Sequence, residues 1–271
     1  MIDLDAYFCR IGYEGPAAAT LETLNGIMEA HVRTIPFENL DVLLGRGVDL
    51  AAAALQDKLI ERRRGGYCFE QNGLLLLVLE TLGFAVTPLS ARVRYQRPRD
   101  FTPPRTHLFL RVVIDGVPWI ADVGVGGLSL TSAIRFDVEG EQLTRHEARR
   151  IIWEDGRFFH QARLADDWHD VLEFTGEEMP PIDRELANWY TSAHPQSHFR
   201  TRLMAARALP DGGRLTLLNR DLSLRDRSGR VQTRVLSTHD ELLAVLAGDF
   251  GLHFPPETRF PDDVLGWAPA R

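Results

Sequence analysis

His107-Leu-Phe-Leu-Arg-Val-Val-Ile-Asp-Gly-Val-Pro-Trp-Ile-Ala-Asp122 reads as two β-strands around a tight turn. Apolar, β-branched and aromatic residues flank Asp115-Gly116, a dipeptide that accommodates the left-handed backbone of a two-residue hairpin. Such a turn sets Ile114 opposite Val117, Phe109 opposite Asp122 and His107 opposite Gly124. His107 and Asp122 then share one face of the ribbon as diagonal neighbours within side-chain reach. A slip of one residue in the pairing would send Asp122 to the other face. Pro118 cannot donate to a ladder, which confines it to an edge or to a pair without cross-strand bonds.

Outward from this hairpin the chain changes character. Phe84 to Tyr95, Arg150 to Trp153 and Arg157 to Leu164 are further strand candidates, the last two joined by Asp155-Gly156. Closely spaced strands with such turns predict a barrel or a sandwich. Toward the N-terminus the period becomes helical. Asp3 to Ile11 is closed by Gly12, and Thr20 to Thr34 places Leu21, Leu24, Ile27 and Met28 at helical spacing. Asp49 caps a third segment that runs to Arg64 and stops at Gly65-Gly66, and a fourth runs from Cys68 to Gly83. Toward the C-terminus, Met179 to Ala208 reads as a helical or irregular connection, and Arg214 to Leu224 with Gly229 to Leu236 as a hairpin. A final helix, Asp240 to Ala247, is announced by a capping box from Thr238 to Glu241.

The 271 residues carry 31 Lys and Arg against 38 Asp and Glu, a net charge of −7. That balance argues against a general binder of nucleic acid or anionic membrane. With 44% apolar residues the composition is that of a globular protein, and the length suggests two or three compact units. No apolar run approaches the roughly 20 residues of a membrane span. The acidic start MIDLDAYFCR is unlike a secretory signal, so a cytoplasmic protein is expected. Two cysteines, Cys9 and Cys68, without CxxC spacing predict neither a redox pair nor a zinc ribbon, and no metal-ligand cluster is visible. A reducing compartment disfavours a disulfide between them.

Arg64-Gly-Gly-Tyr-Cys68-Phe-Glu-Gln-Asn72 carries the chemistry. Two glycines release the chain from one helix, and Cys68 falls in the first turn of the next, where unpaired N–H groups and the helix dipole favour an anion. A thiol so placed is biased toward thiolate, the nucleophilic form. Position alone does not separate a nucleophile from a buried structural cysteine. A thiolate catalyst wants an imidazole beside it, and the imidazole wants a carboxylate that fixes its tautomer. Of the nine histidines, His107 is the one to which the hairpin gives such a partner. Cys68, His107 and Asp122 in that chain order match the arrangement of papain-like and transglutaminase-like thiol catalysts, without naming the acyl donor.

These residues resemble one family closely, the arylamine N-acetyltransferases, in their bacterial form. The resemblance rests on Pro36-Phe-Glu-Asn-Leu-Asp-Val-Leu43, Arg64 to Asn72, Pro104-Arg-Thr-His107, Trp119-Ile-Ala-Asp-Val-Gly124 with Gly126-Gly127, and Asn188-Trp-Tyr-Thr-Ser-Ala-His-Pro-Gln-Ser-His-Phe199. It implies an α+β fold: a helical N-terminal domain over 1–85 with the nucleophile, a β-barrel domain over 86–190 with the histidine and acid, a connection over 191–209, and a small α/β domain over 210–271. Cys68, His107 and Asp122 then form a cysteine-proteinase-like triad.

The same resemblance implies acetyl-CoA as co-substrate and a ping-pong transfer through an acetyl-cysteine to an arylamine, arylhydrazine or aryl hydroxylamine, in xenobiotic metabolism; with no metal-ligand cluster in the sequence, no metal is expected. It assigns Thr106, Gly124, Gly126, Gly127 and Phe199 to CoA. It assigns Phe37, Val93, Val125 and Phe199 to the acceptor pocket, which Val125 widens where many relatives carry Phe. A monomer or homodimer is expected. Glu38 and Arg64 are expected to form a buried ion pair that braces the Cys68 turn, Gln71 has no assigned role, and Cys9 is expected to be a small packing residue. Two other readings stay open: a transglutaminase-like or papain-like cysteine hydrolase using the same triad, and a binding module in which these residues are structural.

Overall fold

Local capping sets the first helices of the structure, a computed structural model that describes residues 2–266. α1 (Leu4–Ile11) begins at Asp3, whose carboxylate accepts from the Ala6 N–H at 2.9 Å, and ends at Gly12 with φ 67°. Thr20 caps α2 (Leu21–Thr34), which buries Leu24, Ile27 and Met28. β1 (Phe37–Glu38) and α3 (Leu40–Leu43) follow.

The segment expected as one helix from Asp49 to Arg64 differs: α4 (Ala52–Leu55) passes directly into a π-helical turn, Gln56–Glu61. Asp49 uses its carboxylate on the Ala51 N–H, making a local turn ahead of the helix. The wider turn buries Lys58, whose ammonium lies 2.8 Å from Asp41 and 2.6 Å from Glu70. α5 (Cys68–Thr81) is buried over most of its length and apolar on nearly every side.

Seven strands form one antiparallel sheet in the order β5-β4-β3-β2-β8-β7-β6. They are β2 (Ala85–Val93), β3 (His107–Ile114), β4 (Val117–Ala121), β5 (Ile134–Arg135), β6 (Arg149–Glu154), β7 (Arg157–Leu164) and β8 (Asp167–Phe174). β8 has no counterpart in the sequence reading, because its turn is made by Ala165 at φ 54° with no glycine or proline to announce it.

The sheet curls into a nearly closed barrel. Gln142 pairs through its backbone with Arg149 at one edge, while its side-chain amide exchanges bonds of 2.7 and 2.9 Å with the backbone of Arg135 at the other. One residue thus covers two open edges. The β3–β4 hairpin has the expected register, Ile114 with Val117 through Leu110 with Ala121. Asp115 and Gly116 turn it at φ 51° and 77°. Pro118 stands opposite Val113, next to the closing pair and hence at a position that needs no cross-strand donor. The ladder stops at Leu110 and Ala121, so Asp122 lies one residue beyond the strand.

After α6 (Pro181–Ala193), a second antiparallel sheet has the order β1-β9-β10-β11-β12, with β9 (Met204–Ala208), β10 (Arg214–Leu218), β11 (Asp221–Arg225) and β12 (Val231–Val235). β9 corrects the irregular or helical connection expected up to Ala208. Its alanines favour helix, but pairing with β1 on one side and β10 on the other overrides that preference. Arg214 to Leu224 is likewise not one strand but a hairpin turned at Asn219, φ 54°.

In α7 (His239–Phe250) Thr238 accepts from the Glu241 N–H, while the Glu241 carboxylate reaches Ser237 rather than closing the box on Thr238. α8 is Asp262–Leu265. One apolar core joins α2 and α5 to the barrel through Leu24, Leu75, Leu79, Phe109 and Val112. A second packs Leu242, Leu246 and Phe250 of α7 against Leu217 and Leu40. Cys9 is exposed on α1 rather than packed, and both cysteines are free. No helix among the described residues is long and apolar enough to cross a membrane.

Beneath the Cys68 turn lies a buried ionic cluster. Arg64 meets Glu38 at 2.7 Å and Asp41 at 3.3 Å, and Lys58 ties Asp41 to Glu70. Burial opposes the Arg64 charge, but Glu38 and Asp41 outweigh it and raise its pKa. The expected Glu38–Arg64 pair is present as one part of this larger group. Removing one partner of a buried pair leaves an uncompensated charge, at a cost of about 3–5 kcal/mol. Glu38→Ala should therefore lower the unfolding free energy by that amount, read as a lower urea midpoint at an unchanged slope, and a loss well under 1 kcal/mol would show the cluster to be dispensable.

Candidate active site

Cys68 is placed by the closeness of two backbones. A Cβ on Gly65 would stand 2.1 Å from the Pro36 carbonyl oxygen, so only glycine lets the turn lie against β1. The Glu38 N–H donates to the Gly66 carbonyl at 3.0 Å across this contact. Tyr67, the residue before α5, donates its N–H to Glu70 Oε2 at 3.0 Å, and its hydroxyl hydrogen-bonds Asn188 on α6. Cys68 therefore begins the helix from a turn fixed on three sides.

His107 opens β3 and Asp122 follows β4, and His107 Nε2 lies 2.7 Å from Asp122 Oδ2 with both side chains buried. With Nε2 committed to the carboxylate, the imidazole is also close enough to the Cys68 side chain for that group to favour its charged form. Cys68 Sγ is 3.6 Å from the Thr106 carbonyl. Asp122 Oδ1 accepts from Asn72 Nδ2 and from the Gly124 N–H, each at 2.9 Å. Asn72 itself donates to the Leu108 carbonyl at 2.7 Å and accepts from the Val123 N–H at 3.0 Å.

Burial works against the Asp122 charge, yet His107 and these donors hold its carboxyl below the usual carboxylate range. Burial also opposes a charged His107, but Asp122 and Cys68 prevail and its pKa is pushed up to about 10. A Cβ on Gly124 would meet Asn72 Nδ2 at 2.6 Å and Cys68 Cα at 2.8 Å, so glycine is what lets α5 approach this loop.

Cys68 and His107 open on a cleft of about 420 Å³. Phe37 and Phe199 pack with Cys68 in one apolar cluster. Every residue that the resemblance assigned to donor or acceptor, namely Thr106, Gly124, Gly126, Gly127, Phe37, Val93, Val125 and Phe199, borders this cleft. Arg97, Arg202, Arg214 and Arg225 border it too, and no Asp or Glu among the described residues does.

Sequence reasoning missed these arginines; Arg214 and Arg225 reach the cleft through a β10–β11 pairing it did not resolve, and Arg97 and Arg202 come from irregular segments. It also missed the bracket made by Asn72, although Asn72 stands one helical turn from Cys68 on the same face, a legible signal. Gln71, left without a role, donates to the Pro36 carbonyl at 2.8 Å and the Gly66 carbonyl at 3.2 Å, and its oxygen meets His31 Nε2 at 2.5 Å. An amide oxygen can only accept, so His31 carries its proton on Nε2 and Tyr7 donates to Nδ1 at 2.8 Å. Burial lowers the His31 pKa to about 4 and keeps this chain neutral.

A family model described as N-acetyltransferase matches residues 20–258. The chain is 42% identical over 278 residues to the arylamine N-acetyltransferase of Mycobacterium tuberculosis (strain ATCC 25618 / H37Rv), spanning 99% of this chain and 98% of the relative. It is 41% identical to that of Escherichia coli (strain K12), spanning 92% and 88%. Among solved structures, M. smegmatis arylamine N-acetyl transferase matches with a TM-score of 0.91 at 40% identity over 100% of both chains. Mycobacterium marinum arylamine N-acetyltransferase in complex with CoA matches with a TM-score of 0.88 at 39% identity, over 92% of this chain and 93% of that one.

The raised His107 pKa has a thermodynamic sign. Its stabilisation is fully present below the ordinary histidine value of about 6.5 and is lost as pH climbs through about 10. The urea midpoint of the wild type should accordingly decline from pH 7 to 10, and His107→Gln should remove that part of the slope. Equal slopes in the two proteins would place the titration elsewhere.

Proposed function

The chain belongs to the arylamine N-acetyltransferase family, and we propose that Cys68, His107 and Asp122 perform a ping-pong transfer of acetyl from acetyl-CoA to an arylamine, arylhydrazine or aryl hydroxylamine. The observation that carries this reading is the buried 2.7 Å contact of Asp122 Oδ2 with His107 Nε2, on a histidine that borders the same cleft as Cys68. In it the helical segment 1–85 supplies the nucleophile, and the barrel segment 86–190 supplies its histidine and acid.

The Cys68 thiolate, paired with the His107 imidazolium, attacks the thioester carbonyl. The carbon–sulfur bond to Cys68 forms, the bond to the CoA sulfur breaks, and His107 gives its proton to the leaving thiolate. Acetyl-Cys68 is a thioester like the donor, so this half-reaction is close to balanced. The neutral amine then attacks the acetyl carbon, His107 takes the amine proton, and Cys68 departs as thiolate. The Cys68 N–H in the first turn of α5 serves the oxyanion. Asp122 stays ionised and keeps the ring oriented.

Thr106, Gly124, Gly126, Gly127 and Phe199 are assigned to the donor; Gly126, at φ 84°, exposes backbone beside Phe37. Phe37, Val93, Val125 and Phe199 are assigned to the acceptor. A cleft with four arginines and no carboxylate among its described lining residues suits an anionic donor in a chain whose net charge is −7, and the Mycobacterium marinum relative is in complex with CoA. Two free thiols suit the reducing cytoplasm, and the acceptor range suits xenobiotic metabolism.

Acetyl-CoA without acceptor should leave one acetyl group on Cys68, seen by intact-protein mass spectrometry and discharged by added aniline. Cys68→Ala should carry none and lose turnover by roughly four orders of magnitude or more. Amide hydrolysis with no adduct would favour the cysteine hydrolase instead.

A further inference from the structure

A sheet edge is a row of unpaired N–H and C=O groups, and folded proteins cover or blunt such edges. The barrel covers its own with Gln142, and the turn before Cys68 bridges the outer side of β1 through Phe37 and Gly66. β12 stands at the far end of the second sheet with no strand beyond it among the described residues. All five of its residues are exposed, Val231 by 56% and Val235 by 51%. Neither a proline nor a bulge blunts it.

The ladder to β11 decides which groups face outward. At its two ends the Asp226 N–H donates to the Arg230 carbonyl at 3.0 Å, and the Leu236 N–H to the Arg220 carbonyl at 2.8 Å. Bonded positions alternate along an antiparallel pair, so the even-numbered residues of β12 bond inward. Val231, Thr233 and Val235 therefore turn their N–H and C=O outward. These three lie symmetrically about Thr233. A second β12 running antiparallel, with Thr233 on a two-fold axis, sets Val231 opposite Val235 and Thr233 opposite itself, all as bonded pairs. Three N–H groups from each copy then donate to the other, and no outward group is left over.

Charge selects this register over its neighbours. Centred on Thr233, Gln232 of each copy faces Arg234 of the other, and the valines form β-branched cross-strand pairs. In the two adjacent registers that keep the bonding, centred on Gln232 or on Arg234, Arg230 faces Arg234 or Arg234 faces itself, and both are repulsive. Arg234 meets Glu241 at 3.1 Å, so the even-numbered face looks onto the acidic first turn of α7, Asp240 and Glu241. Arg230 of the other copy arrives on that face, opposite Leu236. We propose that the chain pairs with a second copy of itself through β12, about an axis at Thr233, which joins two five-stranded sheets into one. A five-residue ladder is about 17 Å long and covers less than the roughly 1,200 Å² at which standard stable interfaces begin. The dimer is therefore weak and concentration-dependent.

Sedimentation velocity of the full chain, from about 10 μM to about 1 mM, should show a monomer–dimer equilibrium. Thr233→Pro removes the N–H at the axis, a group that the monomer ladder does not use. That variant should stay monomeric throughout while keeping the wild-type circular dichroism. Gln232→Glu, facing Arg234 across the axis, should tighten the dimer about 2- to 30-fold in a salt-sensitive way, and Gln232→Arg should loosen it by a similar factor. Those opposed signs decide the matter where Thr233→Pro does not fold. A wild type that is monomeric at every concentration, a dimer that persists in folded Thr233→Pro, or equal affinities for Gln232→Glu and Gln232→Arg would overturn the proposal.

Discussion

A carboxylate is kept ionised where water does not reach it, and the rest of the structure is arranged around that constraint. Asp122 is fully enclosed, an environment that by itself favours the neutral acid. Three donors reverse the preference, one from a histidine on the neighbouring strand, one from an asparagine on α5 and one from the backbone two residues on. Each comes from a different piece of chain, so the helix, the hairpin and the loop must all be in place for the charge to be tolerated. The buried acid is thereby a registration point as well as an orienting group. It joins the imidazole to α5 at one point, beside the apolar core that packs that helix on the barrel.

The close approaches follow from the same demand. Gly124 lies under α5 because Asn72 must reach both Asp122 and the backbone of Val123, and Gly65 lies on Pro36 because the turn before Cys68 has to begin beside β1. Around these contacts the polar chemistry is sorted by charge. Tyr7, His31 and Gln71 form a neutral chain that holds the turn from one side. Glu38, Asp41, Lys58, Arg64 and Glu70 form an ionic cluster that holds it from another. The reactive sulfur is placed by a frame of satisfied hydrogen bonds, which limits the rotamer freedom lost when substrate arrives.

Much of this was legible because it is local. Asp115-Gly116 fixes a turn, the turn fixes a register, and the register brings His107 beside Asp122. Asp3 and Thr20 cap helices by the same short-range logic. What escaped is non-local. Nothing in Ala165-Asp166 marks a hairpin, and Met204-Ala-Ala-Arg-Ala208 becomes a strand only because two others flank it. The π turn that buries Lys58 answers to Asp41 and Glu70, which stand 17 and 12 positions away. Arg149, Arg214 and Arg225 all donate to Glu147 and come from strands of two different sheets, a convergence that no spacing along the chain announces.

The closure of the barrel by Gln142 gives the molecule a zip fastener with a single tooth. Two bonds to a side-chain amide can part while every strand keeps its own ladder, so the seam is the line of the cylinder held by the fewest hydrogen bonds. Amide protons of Arg135 would trade with deuterium well before those of β3, which is flanked by β2 and β4. The seam hangs on one side chain, whereas the wall that carries His107 is laddered on both flanks.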